Sequence, residues 1–260
     1  MLVRRDGNRW IFNPTVPTLN SPFLSIIIPA HNEETRLPQT LEQVFAFLQQ
    51  QSYTSEVLVI ENGSRDRTFE IANEFAHQHA NLRVIREEQS GKGRAVRRGM
   101  LEARGQYRFM ADADLSMSID QLNHFLPPTL TNTDIAIGSR EAPGAERIDE
   151  PFYRHLGGRV INLTIRLLIL PGLQDTQCGF KCFTAAAAEK IFPQQTMPGW
   201  SFDIEILYLA RHFGLTIHEV PIRWRFDAAT KLSAVQDALR MVRDIFIIHA
   251  NARRGRYDLP

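Results

Sequence analysis

The sequence predicts an α/β fold, a single domain in which a mainly parallel, Rossmann-like sheet is flanked by helices. Short β-branched apolar runs recur between residues 24 and 137, segments of helical length separate them, and polar clusters fall just after the runs. Strands alternating with helical crossovers imply βαβ units and parallel pairing. Ligands of such sheets bind beyond the carboxyl ends of the strands.

Residues 24–29 (LSIIIP) form the first run and read as a buried strand. A helical stretch follows to about residue 51, and residues 56–60 (EVLVI) repeat the strand pattern. Residues 69–79 read as a helix, 82–85 (LRVI) as a third strand and 93–104 as another helix. A fourth strand over 107–111 (YRFMA) leads to a helix over 119–130, and a fifth strand covers 134–137 (DIAI). Beyond residue 140 the pattern loosens. Residues 141–151 read as a mobile loop, 152–170 as a helix and 181–183 as a short strand. A helix over 204–213, a strand over 216–224 and a closing helix over 232–250 complete the chain. The expected organisation is a lead-in over 1–23, the domain over 24–250 and a basic tail over 251–260.

Of the 260 residues 43% are hydrophobic and 23% charged, the balance of a globular chain with a real core. Lys plus Arg number 30 against 29 Asp plus Glu, so bulk charge points to no nucleic acid or other polyanion as partner. Cys178 and Cys182 are too few for a disulfide framework and lack the second Cys/His pair of a zinc site. They read as small buried apolar residues in a reducing, cytoplasmic setting. Residues 1–23 carry Arg4, Arg5, Asp6, Arg9 and three prolines in place of the apolar run of a secretory signal. The most apolar stretch, 163–173, spans 11 residues with Arg166 and Pro171 inside it, short of the ~20 that a bilayer requires. Membrane contact is therefore expected to be peripheral, at the inner face of the cytoplasmic membrane.

Three polar clusters stand at the carboxyl ends of predicted strands: Pro29-Ala-His-Asn-Glu-Glu34, Glu61-Asn-Gly-Ser-Arg-Asp-Arg-Thr68 and Asp112-Ala-Asp-Leu-Ser116. Three on one edge of a parallel sheet define a cleft. Asp112 and Asp114 have one small residue between them, so in an extended segment both carboxylates point the same way and reach one hard cation, magnesium or manganese. The competing reading is an Asp-rich turn capping the next helix. Gly91-Lys-Gly93, ahead of a helix, lets backbone amides approach an anion while Lys92 adds a charge, although its spacing is neither a P-loop nor a dinucleotide fingerprint.

These motifs, with Gly138-Ser-Arg140 and Asp175-Thr-Gln-Cys-Gly-Phe-Lys181, resemble in their order the inverting family-2 glycosyltransferases of GT-A fold. The likeness runs from residue 24 to about 245 and is nearest to dolichyl- or polyprenyl-phosphate glycosyltransferases, particularly the dolichyl-phosphate glucosyltransferase type. The resemblance implies a nucleotide-sugar site drawn from Pro29, Ala30, Asn32, Glu33, Glu61, Gly63, Ser64, Gly91, Lys92, Asp112, Ala113 and Asp114. Asp112 and Asp114 match its metal pair. Glu61 sits where the family usually has an Asp that contacts the base, Asn62 replaces a second Asp, and Leu115-Ser116 replaces the Leu-Gln of mannosyl enzymes. Arg140 and Arg154 fall where the family holds an acceptor phosphate, with Lys231 in the same role. Asp203, with Glu205, occupies the region that supplies a base in sugar-acceptor relatives. A lipid phosphate is already anionic at neutral pH, so here these carboxylates would organise the site or bind sugar hydroxyls.

The function implied is transfer of a hexose, glucose favoured, from a UDP-sugar to a polyprenyl or dolichyl phosphate. A basic amphipathic segment fits the membrane side of that reading: residues 223–256 hold eight Arg/Lys against three Asp. The alternatives are a family-2 enzyme with a soluble acceptor, a haloacid-dehalogenase-type phosphotransferase with Asp112 as nucleophile, and an inactive nucleotide-sugar binding module.

Overall fold

A computed structural model of the chain describes residues 4–6, 9–11, 21–114, 116–226 and 234–258. A short hairpin of β1 (Arg4–Asp6) and β2 (Arg9–Ile11) lies in the lead-in. The domain is organised by β3 (Leu24–Ala30) and β4 (Ser55–Glu61), which pair in parallel from Leu24↔Ser55 to Ala30↔Glu61. Both are almost wholly buried because both faces of the sheet are covered. Ile27, Leu58 and Ile60 enter one core cluster, and Ile26, Ile28, Val57 and Val59 enter the other, so the period of two along each strand feeds two cores.

Helices fill both sides. On one side α1 (Leu37–Leu48) buries Leu37, Leu41, Val44 and Leu48, one stripe at helical spacing, with a proline in its first turn. On the other, α3 (Lys92–Glu102) lies so close to the sheet that a Cβ on Gly99 would run into Ile27. Between them in sequence come α2 (Thr68–Gln78) and β5 (Leu82–Arg86).

The central sheet has seven strands, ordered β10-β7-β9-β6-β3-β4-β5, with β6 at Tyr107–Met110, β7 at Ile135–Ser139, β9 at Lys181–Thr184 and β10 at Ile217–Pro221. All its pairings are parallel except those of β9, which runs antiparallel between β6 and β7. This reversal matters for function. The amino end of β9 pairs Lys181 with Met110, so the loop before Lys181 arrives at the edge where β3, β4 and β6 end.

Several expected elements take a different form. Residues 119–130 give only a 3-10 helix, Ile119–Phe125, because Pro127 and Pro128 follow and the residue before a proline is driven out of the helical region; Leu126 is extended, with ψ 156°. The strand expected over 216–224 divides into β10 and β11 (Arg223–Arg225). The latter pairs in parallel with β8 (Glu146–Ile148), inside the segment expected to be a mobile loop. Further on lie α4 (Phe152–Leu168), α5 (Ala185–Ile191), a 3-10 turn over Phe192–Gln194, α6 (Phe202–His212) and α7 (Ala234–Arg253). The sequence reading has no counterpart of α5, which starts where Thr184 Oγ1 accepts the Ala187 amide, an ordinary N-cap before four alanines. Cys178 and Cys182 are buried free thiols, as expected. Tyr257, beyond α7, is fully buried, so the segment read as a basic tail returns to the core.

Candidate active site

Strand register brings the clusters together. Ala30 pairs Glu61 across β3 and β4, and Glu61 pairs Arg86 across β4 and β5, so the first two clusters leave the sheet side by side. They are laced by short bonds. Asn32, held at φ 54°, donates its amide to Ser64 Oγ at 3.0 Å, and its side chain accepts the Arg65 amide at 2.9 Å. Gly63 turns at φ 65°, which allows Ser64 N to donate to Glu61 Oε1 at 2.5 Å. Glu61 is fully buried, and its other oxygen lies 3.2 Å from Arg86 Nε without a regular hydrogen bond. Glu33 holds Arg36 in a two-point contact at 2.6 and 2.8 Å. Pro29 is half-buried and Ala30 buried at the floor.

Asn62 shows why an amide stands where the resemblance expects a second carboxylate. Its Nδ2 donates to Gln89 O at 2.8 Å while its Oδ1 accepts the Gly91 amide at 2.7 Å. An ionised Asp can only accept, so it would lose the first bond. Asn62 thus clamps the loop that leads into α3, and Gly91 holds φ 143°, a conformation open to glycine.

That loop delivers Lys92 to the aspartates. Lys92 Nζ lies 2.6 Å from Asp112 Oδ1 and 4.8 Å from the centre of the Trp200 ring. Burial disfavours its charge, but Asp112, then Asp203, outweigh that and raise its pKa. Asp114 is exposed as a residue, yet desolvation by the protein around its carboxyl group, followed by the charge of Asp112, raises its pKa. Ala113 between them is buried, and its carbonyl accepts a bond from Thr40 in α1.

Two carboxylates that repel each other, offering only hard oxygen donors at a sheet edge, fit a divalent cation that keeps further positions for phosphate oxygens and water. Among the described residues no group of three His, Cys, Asp or Glu converges to complete a shell from protein alone. Lys92 already satisfies part of the charge of Asp112.

Behind the pair lies a buried ion array that the sequence reading did not assemble. Lys181, fully buried in β9, sets Nζ 2.6 Å from Asp203 Oδ1 and donates to the Cys178 carbonyl at 2.5 Å. Asp203, in the first turn of α6, is 4% exposed and its pKa is raised by burial, which Lys181 and Lys92 only partly oppose. It accepts no capping amide and faces lysines rather than solvent. Glu205 is a clamp: it accepts the Thr196 amide at 2.8 Å, the Met197 amide at 2.7 Å and the hydroxyls of Thr196 and Tyr257 at 2.5 and 2.7 Å. The signal for both was the Trp200-Ser-Phe-Asp-Ile-Glu205 pattern, where two acids share a helical turn with apolar neighbours.

Arg140 differs from expectation. Its Nε and Nη2 hold Asp175 at 2.6 and 2.9 Å, so the fork expected to grip a phosphate is filled by a carboxylate. Asp175 is fully buried, and although burial opposes its charge, Arg140 holds its pKa down to about 2. A carboxylate with a lowered folded pKa contributes stability above its unfolded pKa, near 3.8, and loses it as pH falls through the folded value. We expect acid titration to withdraw roughly 2 kcal/mol of stability between about pH 4 and pH 2. Asp175→Asn should remove that phase from the unfolding curve. Arg154 falls in the first turn of α4 with its side chain outside the described residues, and Lys231 lies outside them altogether.

Gly179 meets Asp112 directly: a Cβ there would collide with the Asp112 carboxylate. The obstacle is the far end of a side chain, so the fold can accommodate it by displacing Asp112. Gly179→Ala is expected to melt near wild type but to lose activity on the order of 10²-fold, the cost of misplacing a reacting group by about 1 Å. Equal losses of both would contradict this placement.

Known proteins resemble this chain in sequence and in fold. The profile of "Glycosyl transferase family 2" matches residues 25–192. A dolichyl-phosphate beta-glucosyltransferase of Drosophila melanogaster is 38% identical over 252 residues, covering 90% of this chain and 77% of that protein. The Homo sapiens protein of the same name is 32% identical over 263 residues, covering 94% and 81%. Among solved structures, glucosyl-3-phosphoglycerate synthase from Mycobacterium tuberculosis in complex with Mn2+ and UDP-glucose superposes with a TM-score of 0.62. That likeness, at 19% identity over 92% of this chain and 80% of that one, is one of fold.

Proposed function

The chain belongs to glycosyl transferase family 2, and from that premise we propose that it is an inverting enzyme moving glucose from UDP-glucose to a dolichyl or polyprenyl phosphate. The observation that carries the donor half is the Lys92–Asp112–Asp114 cluster, set where three strands end and backed by a buried lysine–aspartate pair. The acceptor half is supported by the relatives, whose names specify dolichyl phosphate. Membership in this family sets aside the haloacid-dehalogenase-type phosphotransferase.

In this reading the donor nucleotide lies along Pro29, Ala30, Asn32, Glu61, Gly63 and Ser64. Glu61 Oε2, close to Arg86 but without a regular hydrogen bond, is the acceptor that a uracil N–H requires. Gly91 and the amino end of α3 face the diphosphate, and Lys92 moves its charge from Asp112 towards it. Asp112 and Asp114 would hold magnesium or manganese, which when bound supplies neutralisation of the leaving diphosphate; the manganese complex of the fold relative favours that ion. Lys181 and Asp203 fix the rear of the pair. Arg154 and Lys231 hold the acceptor phosphate, and Arg140, its plane set by Asp175, offers its remaining Nη1 side. A phosphate oxygen needs no general base to attack C1 from the face opposite the leaving group. Catalysis is then positioning plus charge stabilisation. Because the proposed acceptor is a membrane lipid, we place the enzyme on a membrane surface; among the described residues no helix is long and apolar enough to cross one.

Thermal-shift titration tests the donor assignment. UDP-glucose with Mn²⁺ at 100 times its Kd should stabilise the protein by about 2.7 kcal/mol, whereas GDP-mannose should not. Equal shifts with both, or shifts indifferent to metal, would overturn it.

A further inference from the structure

Large apolar side chains exposed to solvent are concentrated in one place. Among the described residues they are Leu101, Trp200 and five on two helices: Leu163, Leu167 and Leu168 on α4, and Phe246 and Ile247 on α7. The two helices lie side by side. His249 Nε2 of α7 approaches the Leu168 carbonyl of α4 at 3.1 Å, and Ile165 of α4 is buried in the same core as Met241, Ile245 and Ile248 of α7. Their buried faces share one core, so the opposite faces form one outer surface.

That surface is cationic as well as apolar. On α4, Arg159 and Arg166 are exposed beside Leu163 and Leu167, three or four residues apart and hence on one stripe, and the helix contains no Asp or Glu. On α7, exposed Arg243, Phe246 and Ile247 fall on one face at the same spacing, and exposed Arg254 follows in the turn just beyond the helix end. From residue 240 to 256 the sequence has five arginines and one carboxylate, Asp244, which accepts a bond from Ser201 Oγ at 2.7 Å and lies 3.6 Å from the exposed Arg243, leaving the arginines in clear excess. In a chain of net charge +1 this is a local segregation of positive charge around projecting apolar groups.

We propose that the joint outer face of α4 and α7 docks on an anionic lipid bilayer, its leucines and phenylalanine entering the acyl boundary while its arginines meet lipid phosphates. The proposal rests on the lipid-phosphate reading above and names the surface through which it operates. A second copy of the chain is a poorer occupant, because a two-fold contact would set this face against itself and oppose arginine to arginine. The inner side of α7 reaches the site: Asp244 holds Ser201, two residues before Asp203, and Met241 Sδ lies 3.8 Å from Gln177 Nε2 in the loop ahead of Lys181. Docking therefore sets the cleft beside the bilayer surface from which a prenyl phosphate projects.

Co-sedimentation tests this with vesicles of phosphatidylcholine alone or mixed with phosphatidylglycerol. The intact protein should pellet with the anionic vesicles at low salt and be released at high salt. Arg243→Gln with Arg254→Gln should weaken binding roughly 30-fold, about the effect of two interfacial charges. Leu167→Ser with Phe246→Ser should weaken it on the order of tenfold. Leu101→Ser, on another helix, should change nothing, and all variants should melt like wild type. Indifference to lipid charge, binding untouched by both pairs, or a Phe246-dependent dimer that ignores vesicles would each overturn the proposal. Transfer to a short-chain prenyl phosphate in detergent separates the two ideas. Transfer without vesicle binding removes the surface alone, and vesicle binding without transfer removes the acceptor reading alone.

Discussion

Asp112→Asn and Asp114→Asn are each expected to lower glucosyl transfer on the order of 10²–10³-fold, the scale of losing one group aimed at developing charge. Their stabilities should move in opposite directions. Asp112 is the close partner of Lys92, whose side chain is 16% exposed, so removing its charge leaves a largely buried lysine resting on Trp200. Asp112→Asn should therefore lower the melting temperature. Asp114 has its charged form disfavoured by desolvation and by Asp112. Neutralising it removes a repulsion, and Asp114→Asn should melt at or above wild type without metal. The same raised pKa means that the metal-free protein gains stability from this group as pH falls through its folded value. Calorimetry of both variants with EDTA and with Mn²⁺ checks the signs. Metal should stabilise wild type and neither variant. Two variants that both melt lower and both still bind Mn²⁺ would remove the pair from the metal site.

The second large effect is one of stability. Glu205 is fully buried and accepts four hydrogen bonds from Thr196, Met197 and Tyr257. Burial, followed by the charge of Glu205, pushes the pKa of Tyr257 well above the ordinary tyrosine value. Glu205→Ala strands two buried amides and two hydroxyls, and we expect it to cost at least ~3 kcal/mol. For a chain of this size that is about 6–12 °C in Tm. The loss should also reach the donor site. Gly91 and Gly93 pack against the carbonyls of residues 197–199, and Trp200 covers Lys92. A rise in KM for UDP-glucose should accompany the lower Tm, whereas Tyr257→Phe, which removes one of the four bonds to Glu205 together with the one Tyr257 accepts from Asn251, should show a smaller share of both. A Glu205→Ala protein as stable as wild type would mean that this network does not hold the 196–200 segment.

The donor side of the site was legible because its signals are local. The runs around Ile27 and Val59 end abruptly in polar residues, and parallel strands bring successive ends to one edge without further information. Asp112 and Asp114 needed only the alternation of a strand. What the sequence did not disclose depends on pairings across long separations. Lys181 reads as an ordinary strand residue until β9 inserts antiparallel beside Met110 and turns it inward towards Asp203. Arg140 reads as a free guanidinium until Asp175, 35 residues on, takes its Nε and Nη2 and leaves Nη1. Asn62 reads as a departure from a family pattern until the loop over Gln89 and Gly91 shows that both halves of an amide are used. The 3-10 helix before Pro127 and α5 are by contrast locally encoded, in the prolines that stop the first and the Thr184 cap that starts the second.

The central claim is glucosyl transfer at Asp112 and Asp114 onto a lipid phosphate. Incubation of the purified protein with radiolabelled UDP-glucose, Mn²⁺ and an equal mixture of a short polyprenyl phosphate and 3-phosphoglycerate puts it to the test in one partition. The account predicts label in the organic phase as an inverted, β-linked glucosyl phosphate, lost with EDTA and in Asp114→Asn. Label confined to the aqueous phase as a glucosylated glycerate, or organic-phase label that persists in EDTA, would contradict it.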